Sequence, residues 1–562
     1  MKRIDLKIGI VLMLVLTCSC GEKGKRTERD AHVRVEIDST YFAMNPMDLE
    51  FDSLERVMID SGMAELIDAY RAIRDYHLPY STPPALQFNP LPRGFQVPDP
   101  APAISWEIPT GIVKPSRAAD LAFMSIPELA SLIRSGEISC VALTQFFLER
   151  LKAYDPQLHC VVTFTEEYAI ERAREMDAEL AAGRDRGILH GIPYGAKDLF
   201  AFPGYKTTWG AAPYKEQVLE ETAGVISRLE EAGAVLVAKT TLGALAMGDV
   251  WFADTTRNPW NLEEGSSGSS AGSASATAAG LLPFAIGTET WGSIVSPSTR
   301  CGTTGLRPTF GRVTRSGAMA LSWSMDKVGP ICRSASDCAI VFDAIQGRDE
   351  DDQSTMDAGF SYQGPADLSR LKVGYFKSAF DSEYVVSDFD RKSLRVLEKL
   401  GARLVPVELD NDTMPYFAMS IILEAEAAAA FDELTRSNRD TLLVRQHRYA
   451  WPNLFRTARY ITAVEYIQAN RIRHDLIEDY HHRLESFDVV VIPSFDGGNQ
   501  LLATNLTGHP VVVVPNGFTE SGSPTSITFL GNLFDEGTIL SVAAAYQEAT
   551  GFHLKRPRLF DQ

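Results

Sequence analysis

Cysteine is scarce in this chain, and long apolar runs are nearly absent. Seven cysteines are spread over 562 residues. Once Cys18 and Cys20 are set apart, Cys140, Cys160, Cys301, Cys332 and Cys338 remain, odd in number and without a C-x-x-C pair. Neither a disulfide framework nor a zinc site is supported, and buried free thiols are expected. Basic residues are also under-supplied, 54 against 73 acidic, for a formal net charge of −19. Such a balance argues against a general nucleic-acid binder, which needs cationic surface to displace phosphate counterions. What is present is 45% hydrophobic and 23% charged residues, ample for a packed core and incompatible with disorder throughout. The length would accommodate three or four domains, or equally one large α/β domain with an appendage.

The one apolar run near the start, Ile8 to Leu16, follows Lys2, Arg3 and Lys7 and is too short to span a bilayer. It ends in Thr17-Cys18-Ser19-Cys20-Gly21. That pattern resembles a lipoprotein-type export signal, with cleavage before Cys20, which small Ser19 precedes, and a lipid on its sulfur; Cys18 is the competing position. Residues 1–20 are therefore expected to be a signal peptide. The mature protein is expected to be exported, periplasmic and lipid-anchored to a bacterial membrane.

Residues 21–118 are expected to form a tether, a helical segment and a proline-rich strap. Apolar residues at helical spacing, such as Leu54, Val57 and Met58, then Met63, Leu66, Ile67 and Tyr70, mark the helix. Ten prolines between Pro79 and Pro115 mark an extended strap over the surface. Residues 119–562 form the main body. Ser125-Ile-Pro-Glu is a helix start with its cap, and Ser135-Gly136 is the stop. Helices follow through Phe146 to Tyr154 and around Glu167 to Gly183. Short apolar runs then alternate with helices: Val235-Leu-Val-Ala, Lys372-Val-Gly-Tyr-Phe, Arg403-Leu-Val-Pro-Val, Asp488-Val-Val-Val-Ile-Pro and Val511-Val-Val-Val-Pro. Runs of this type suit strands covered on both faces by helices. The expected fold class is α/β, a single large α/β/α domain around a central mixed sheet.

One segment is too rich in small residues to be ordinary: Glu264 through Gly280, which passes through Ala274 to Ala279 into Leu281-Leu-Pro-Phe-Ala-Ile-Gly287. A flexible linker would not feed a buried strand in this way. It lacks the Gly-Lys-Ser/Thr ending of a phosphate loop. Gly268-Ser-Ser-Ala-Gly272 has the G-x-S-x-G spacing of a nucleophile elbow centred on Ser270, but Asn258-Pro-Trp-Asn-Leu-Glu-Glu before it is not the buried strand that an elbow requires.

The ordered set Gly191-Ile-Pro-Tyr-Gly-Ala-Lys-Asp198, Asn258-Pro-Trp-Asn, Ser267-Gly-Ser-Ser-Ala-Gly-Ser, Gly287-Thr-Glu-Thr-Trp-Gly-Ser-Ile, Gly305-Leu-Arg-Pro-Thr, Val328-Gly-Pro and Asn505-Leu-Thr-Gly-His-Pro510 resembles the amidase signature family, from about residue 120 to 556. The resemblance implies a catalytic triad of Lys197, Ser269 on a cis peptide bond and nucleophilic Ser293. Spacing back from Ser293 selects Ser269 over Ser266 and Ser267. It also implies hydrolysis of a linear carboxamide or acyl-amide through an acyl-enzyme, with no metal or organic cofactor. The family includes the glutamine-hydrolysing component of a tRNA amidotransferase, a role that export disfavours.

The chemistry is consistent with those residue types. A serine hydroxyl needs a base, and lysine serves only when neutral. At a pKa of about 10.4 only on the order of one lysine in a thousand is neutral at pH 7, so Lys197 must be buried among small groups that disfavour its ammonium form. Backbone N–H groups of Thr290, Trp291, Gly292 and Ser293 are the natural oxyanion hole. Trp291 stands where the family usually has glycine, so it is expected to narrow the acyl pocket or to require a backbone angle unfavourable to tryptophan. Asp198, next to Lys197 on a strand, should point the other way and be structural.

The remaining candidates are weaker. His474, Glu478, His481 and His482 lie at helical spacing among charges, which reads as a solvated face rather than a metal cluster. His509 reads as structural, Asp326 and Arg300 as anchors of the signature region, and Trp209, Trp251 and Trp323 as core or pocket wall. Two alternatives from other classes are an esterase using Ser270 with a histidine such as His509, and a catalytically silent binding protein on the same fold.

Overall fold

The structure, a computed structural model, describes Met58, residues 69–73, Asp75 and residues 79–561. The signal peptide and the lipidation residue Cys20 lie outside the described residues. The chain divides into two compact units, Met1–Leu78 and Pro79–Gln562. In the first unit the described positions are helical. The strap from Pro79 onward belongs to the second unit, together with the main body.

The second unit is a large α/β domain built on one mixed sheet of 11 strands. In chain order these are β1 (Val161–Phe164), β2 (Pro193–Lys197), β3 (Val235–Thr240), β6 (Phe284–Glu289), β7 (Thr304–Arg307), β8 (Lys327–Cys332), β9 (Lys372–Phe376), β10 (Arg403–Val407), β11 (Val489–Pro493), β12 (Val511–Phe518) and β13 (Pro524–Leu530). A separate ribbon pairs β4 (Arg257–Asn258) with β5 (Asn261–Gly265). The spatial order is β1-β3-β2-β6-β8-β7-β12-β13-β11-β9-β10. Strands β3, β2 and β6 run parallel, whereas β6, β8, β7, β12, β13 and β11 alternate antiparallel.

Every residue of β2, β3, β6, β8 and β11 is buried, as mainly apolar runs covered on both faces require, and the charged residues Lys197, Lys239, Glu289 and Lys327 stand at strand ends or next to them. Helices supply the cover: Ala335–Ile345 packs on β8, Ala271–Ala278 on β6 and Glu536–Thr550 on β12. Strand β10 departs from the expectation. It is the sheet edge, and Arg403 and Pro406 are exposed. Its charge and proline blunt that edge against further pairing.

The first long helix of the main body, Ile126–Ser135, begins with the capping box of Ser125 and Glu128 and stops at Gly136 in the left-handed region (φ 76°). The five cysteines of the described residues are all free and buried.

Candidate active site

Parallel neighbours β2 and β6 are in register at Ala196 and Ile286, which carries Lys197 level with Gly287 and brings Thr288, one residue on, within reach of its side chain at the C-terminal end of the pair. That end of a parallel strand pair is where α/β sheets open a crevice for ligands. Lys197 is completely buried. Its Nζ donates to Thr288 Oγ1 and Ser269 Oγ, both at 2.8 Å, and lies 3.2 Å from Ser270 Oγ and 3.4 Å from the Thr288 carbonyl. Burial pulls its pKa down to about 7, against the opposing pull of the Asp326 and Glu289 carboxylates.

The serine-rich segment after β5 reaches the lysine by a tight approach. The Gly268–Ser269 peptide bond is cis. A Cβ at Gly268 would lie 2.0 Å from the Gly248 carbonyl oxygen, so only glycine fits there. Ser270 then stands at the start of the helix Ala271–Ala278 without a side-chain capping bond. Its hydroxyl donates to the Thr288 carbonyl and accepts from the Thr288 N–H, each at 3.1 Å, and is fully buried. The preceding strand β5 lies in the small ribbon rather than the central sheet, so the elbow context is missing.

Beyond β6 the chain turns through Thr290–Ser293, where Gly292 takes a φ of 87°. Trp291 does not adopt a left-handed angle. Its half-buried ring turns instead toward Phe417, with centroids 6.4 Å apart. The residue after it therefore carries the unusual backbone angle. Among the described residues, none of the N–H groups from Thr290 to Ser293 donates a hydrogen bond, and Ser293 Oγ has no partner. Ser293 is half-buried, and its carbonyl accepts from the Ser270 N–H at 3.1 Å, which ties the two serine loops together. The structure thus joins Lys197 to Ser269 directly and holds Ser293 beside them through the backbone. Hydrogen bonds in ligand-free sites commonly close only when substrate is bound.

Glu289 is the residue that sequence reasoning passes over. Fully buried, it accepts from the Ile294 and Val295 N–H groups at 2.8 and 2.9 Å, immediately after Ser293. Its other oxygen takes Arg307 Nη1 at 2.6 Å and Asn505 Nδ2 at 2.8 Å. Burial opposes its ionisation, but Arg307 and these donors prevail and bring the carboxyl down to about 2.

Asp198 points away from Lys197, with Lys239 at 2.8 Å and the Thr208 N–H at 2.9 Å. Asp326 anchors the turn by accepting from Thr290 Oγ1 (2.5 Å) and the Leu321 N–H (2.8 Å), and burial raises its pKa. Arg300 is a surface partner of Glu264 at 3.1 Å. His509 bonds Thr507 Oγ1 at 2.7 Å, and burial with the neighbouring Arg307 lowers its pKa to about 3. An imidazole so disposed has no contact with Ser270. Of the expected solvated face, His474 and His482 are exposed, whereas half-buried His481 packs on Phe95 with centroids 5.7 Å apart and half-buried Glu478 accepts from the Arg93 N–H at 2.8 Å; no group of three metal-ligating side chains occurs among the described residues. Trp251 is packed against Phe252, while Trp209 and Trp323 line a cavity.

Fold and site together define a class: an α/β enzyme with a buried lysine set between two serine-bearing loops. Residues 142–540 match the family profile described as Amidase, and the chain belongs to the amidase family, whose members act on the carbon–nitrogen bonds of amides. A component of the glutamyl-tRNA(Gln) amidotransferase of Marinomonas sp. (strain MWYL1) is 34% identical over 77% of this chain and 98% of its own length. The peptide amidase of Stenotrophomonas maltophilia superposes with a TM-score of 0.71 at 29% identity, covering 79% of this chain and all of that one. A bacterial aryl acylamidase of the amidase signature family shares the fold, with a TM-score of 0.68 at 23% identity over 77% of this chain and 98% of that one.

Proposed function

We propose that this protein hydrolyses a linear carboxamide or acyl-amide through an acyl-enzyme on Ser293. The observation that carries the reading is Lys197, buried, drawn down to about 7 and bonded to Ser269. A neutral amine has two N–H bonds to give to Thr288 and Ser270 and one lone pair for the Ser269 proton. Ser293 Oγ attacks the carbonyl carbon, its proton moves to Ser269, and the Ser269 proton moves to Lys197. The oxyanion is held by the unpaired N–H groups of Thr290–Ser293. The protons then return along the same path to the leaving nitrogen as the C–N bond breaks, and water releases the acid by the same relay.

A fluorophosphonate is expected to label Ser293, located by peptide mass spectrometry, and labelling should vanish in Lys197→Ala. An adduct on Ser270 would instead support the esterase reading, and failure to label would favour a silent binding protein. The amidotransferase relatives favour a second reading, the glutamine-hydrolysing component of such a complex. Ammonia release from free glutamine, with none from acyl-amides, would establish it.

We further propose that the chain works outside the cytoplasm on a lipid anchor at Cys20, supported by the charged start, short apolar run and Ser19-Cys20 pair. In a bacterial host the full chain is expected in the membrane fraction with a diacylglyceryl mass on Cys20, and Cys20→Ala should remove that mass. An unmodified, uncleaved wild-type chain would overturn this.

A further inference from the structure

A cavity of about 750 Å³ opens beside the site, and its lining joins two segments distant in sequence. At one end are Thr288, whose hydroxyl takes the Lys197 hydrogen bond, and Thr290, the first residue of the oxyanion turn. Across from them is the strap, contributing Tyr80 and the stretch from Ser81 to Phe88. The strap precedes the family match at residues 142–540, so this wall is additional to the shared fold.

The wall is pinned at both ends. The Tyr80 ring packs on Trp209 with centroids 4.6 Å apart and on Phe431 at 5.8 Å, and its hydroxyl donates to the Ala320 carbonyl. Phe88 lies under the Arg473 guanidinium at 3.5 Å and against Phe310 at 5.0 Å. Pro83 and Pro84 stiffen the span between. Trp209 is held in place because its backbone N–H donates to the Asp198 carbonyl at 3.1 Å, and Asp198 is itself locked by Lys239.

The chemistry of the lining changes along its length. At its buried end Tyr80, Trp209 and Leu321 wall the cavity together with Asp326, whose carboxylate is already taken by Thr290 Oγ1 and the Leu321 and Ser322 N–H groups. At the outer end Glu221, Glu350 and Asp351 are exposed and make no ion pair among the described residues. Arg315, the cation in the same lining, is already committed to Asp352 at 3.1 Å. A mouth of uncompensated carboxylates above a throat walled by aromatic and aliphatic side chains, its one carboxylate already engaged, suits a group that is apolar near the scissile amide and cationic at its far end.

We infer that this cavity is the substrate subsite of the proposed amidase, that Tyr80 of the strap sets its shape, and that it takes an amide with an apolar body and a terminal ammonium group. This rests on the proposed function only for the word substrate; the binding site stands or falls separately. The test is calorimetric titration of the full-length Ser293→Ala chain, so that turnover does not enter. The probes are para-aminomethyl-phenylpropanamide and its para-methyl and para-carboxy analogues. The cationic amide is expected to bind at least about tenfold more tightly than the carboxylate analogue, because the three exposed carboxylates attract the one and repel the other. In Glu350→Gln/Asp351→Asn that preference should collapse toward the affinity of the neutral analogue. Tyr80→Ala should weaken all three, whereas Tyr80→Phe, which keeps the ring, should behave like the parent. Equal binding of the three amides, no binding, or indifference to Tyr80→Ala would overturn the inference. Binding as expected with no turnover by the wild-type chain would overturn the proposed function and leave the subsite standing.

Discussion

Lys197→Met is expected to reduce kcat/KM by about ten-thousand-fold, the scale of loss when nucleophile and base act as a unit. The pH profile of the wild-type enzyme carries the same information. The base works only when neutral, so kcat/KM should fall about tenfold per pH unit below the Lys197 pKa of about 7 and level off above it. The substitution also has a stability signature. In the unfolded chain this lysine titrates near 10.5 and in the folded protein near 7. Burial therefore costs nothing above pH 10.5, costs progressively more as pH falls toward 7, and is fully felt below 7. The unfolding free energy of the wild type relative to Lys197→Met should rise by up to about 1.4 kcal/mol per pH unit between pH 7 and 10. Denaturant titration across that range measures it. A flat difference would mean that the lysine is not held neutral.

Glu289→Gln should be the most damaging substitution outside the proposed triad. It leaves the fully buried Arg307 guanidinium without its counter-charge, and breaking one side of a buried pair costs about 3–5 kcal/mol. The amide cannot both accept from the Ile294 and Val295 N–H groups and offer oxygen to Arg307 and Asn505. The turn bearing Ser293 loses its anchor, so kcat should fall more than KM rises. Thermal unfolding should show the stability loss at neutral pH. Because the folded carboxyl titrates near 2 and the unfolded one near 4.5, the loss should be complete above pH 4.5 and shrink as pH falls toward 2. A double-mutant cycle with Arg307→Leu isolates the pair from the backbone contacts.

The part of this arrangement legible in the chain is the part written locally. The capped helix from Ile126, the apolar strands Val235–Thr240 and Val489–Pro493, and the small-residue helix feeding β6 each carry their pattern within a few residues. The placement of Lys197, Ser269 and Ser293 comes from motif resemblance, and physical chemistry adds why the lysine must be buried. Glu289 is in plain view within Thr-Glu-Thr-Trp, yet its partners are Arg307 and Asn505, the latter 216 residues away, and no local pattern announces a contact of that range. Thr288 escapes notice for the same reason, being 91 residues from Lys197. The edge position of β10 is hidden because an apolar run looks alike in the middle of a sheet and at its rim. The angle at Gly292 rather than Trp291 shows that the unusual backbone geometry has its own glycine.

The order of the strands has a bearing on when the protein becomes an enzyme. Strand β13, last in the chain, lies between β12 and β11, and the segment carrying Asn505 and His509 secures Glu289 and Arg307 beside Ser293. A polypeptide made from its N-terminus holds all three proposed catalytic side chains long before that segment exists. Pairings so distant in sequence form late and slowly, since the loops they close must be ordered first. The nascent chain is therefore expected to be inert until strands β12 and β13 have paired.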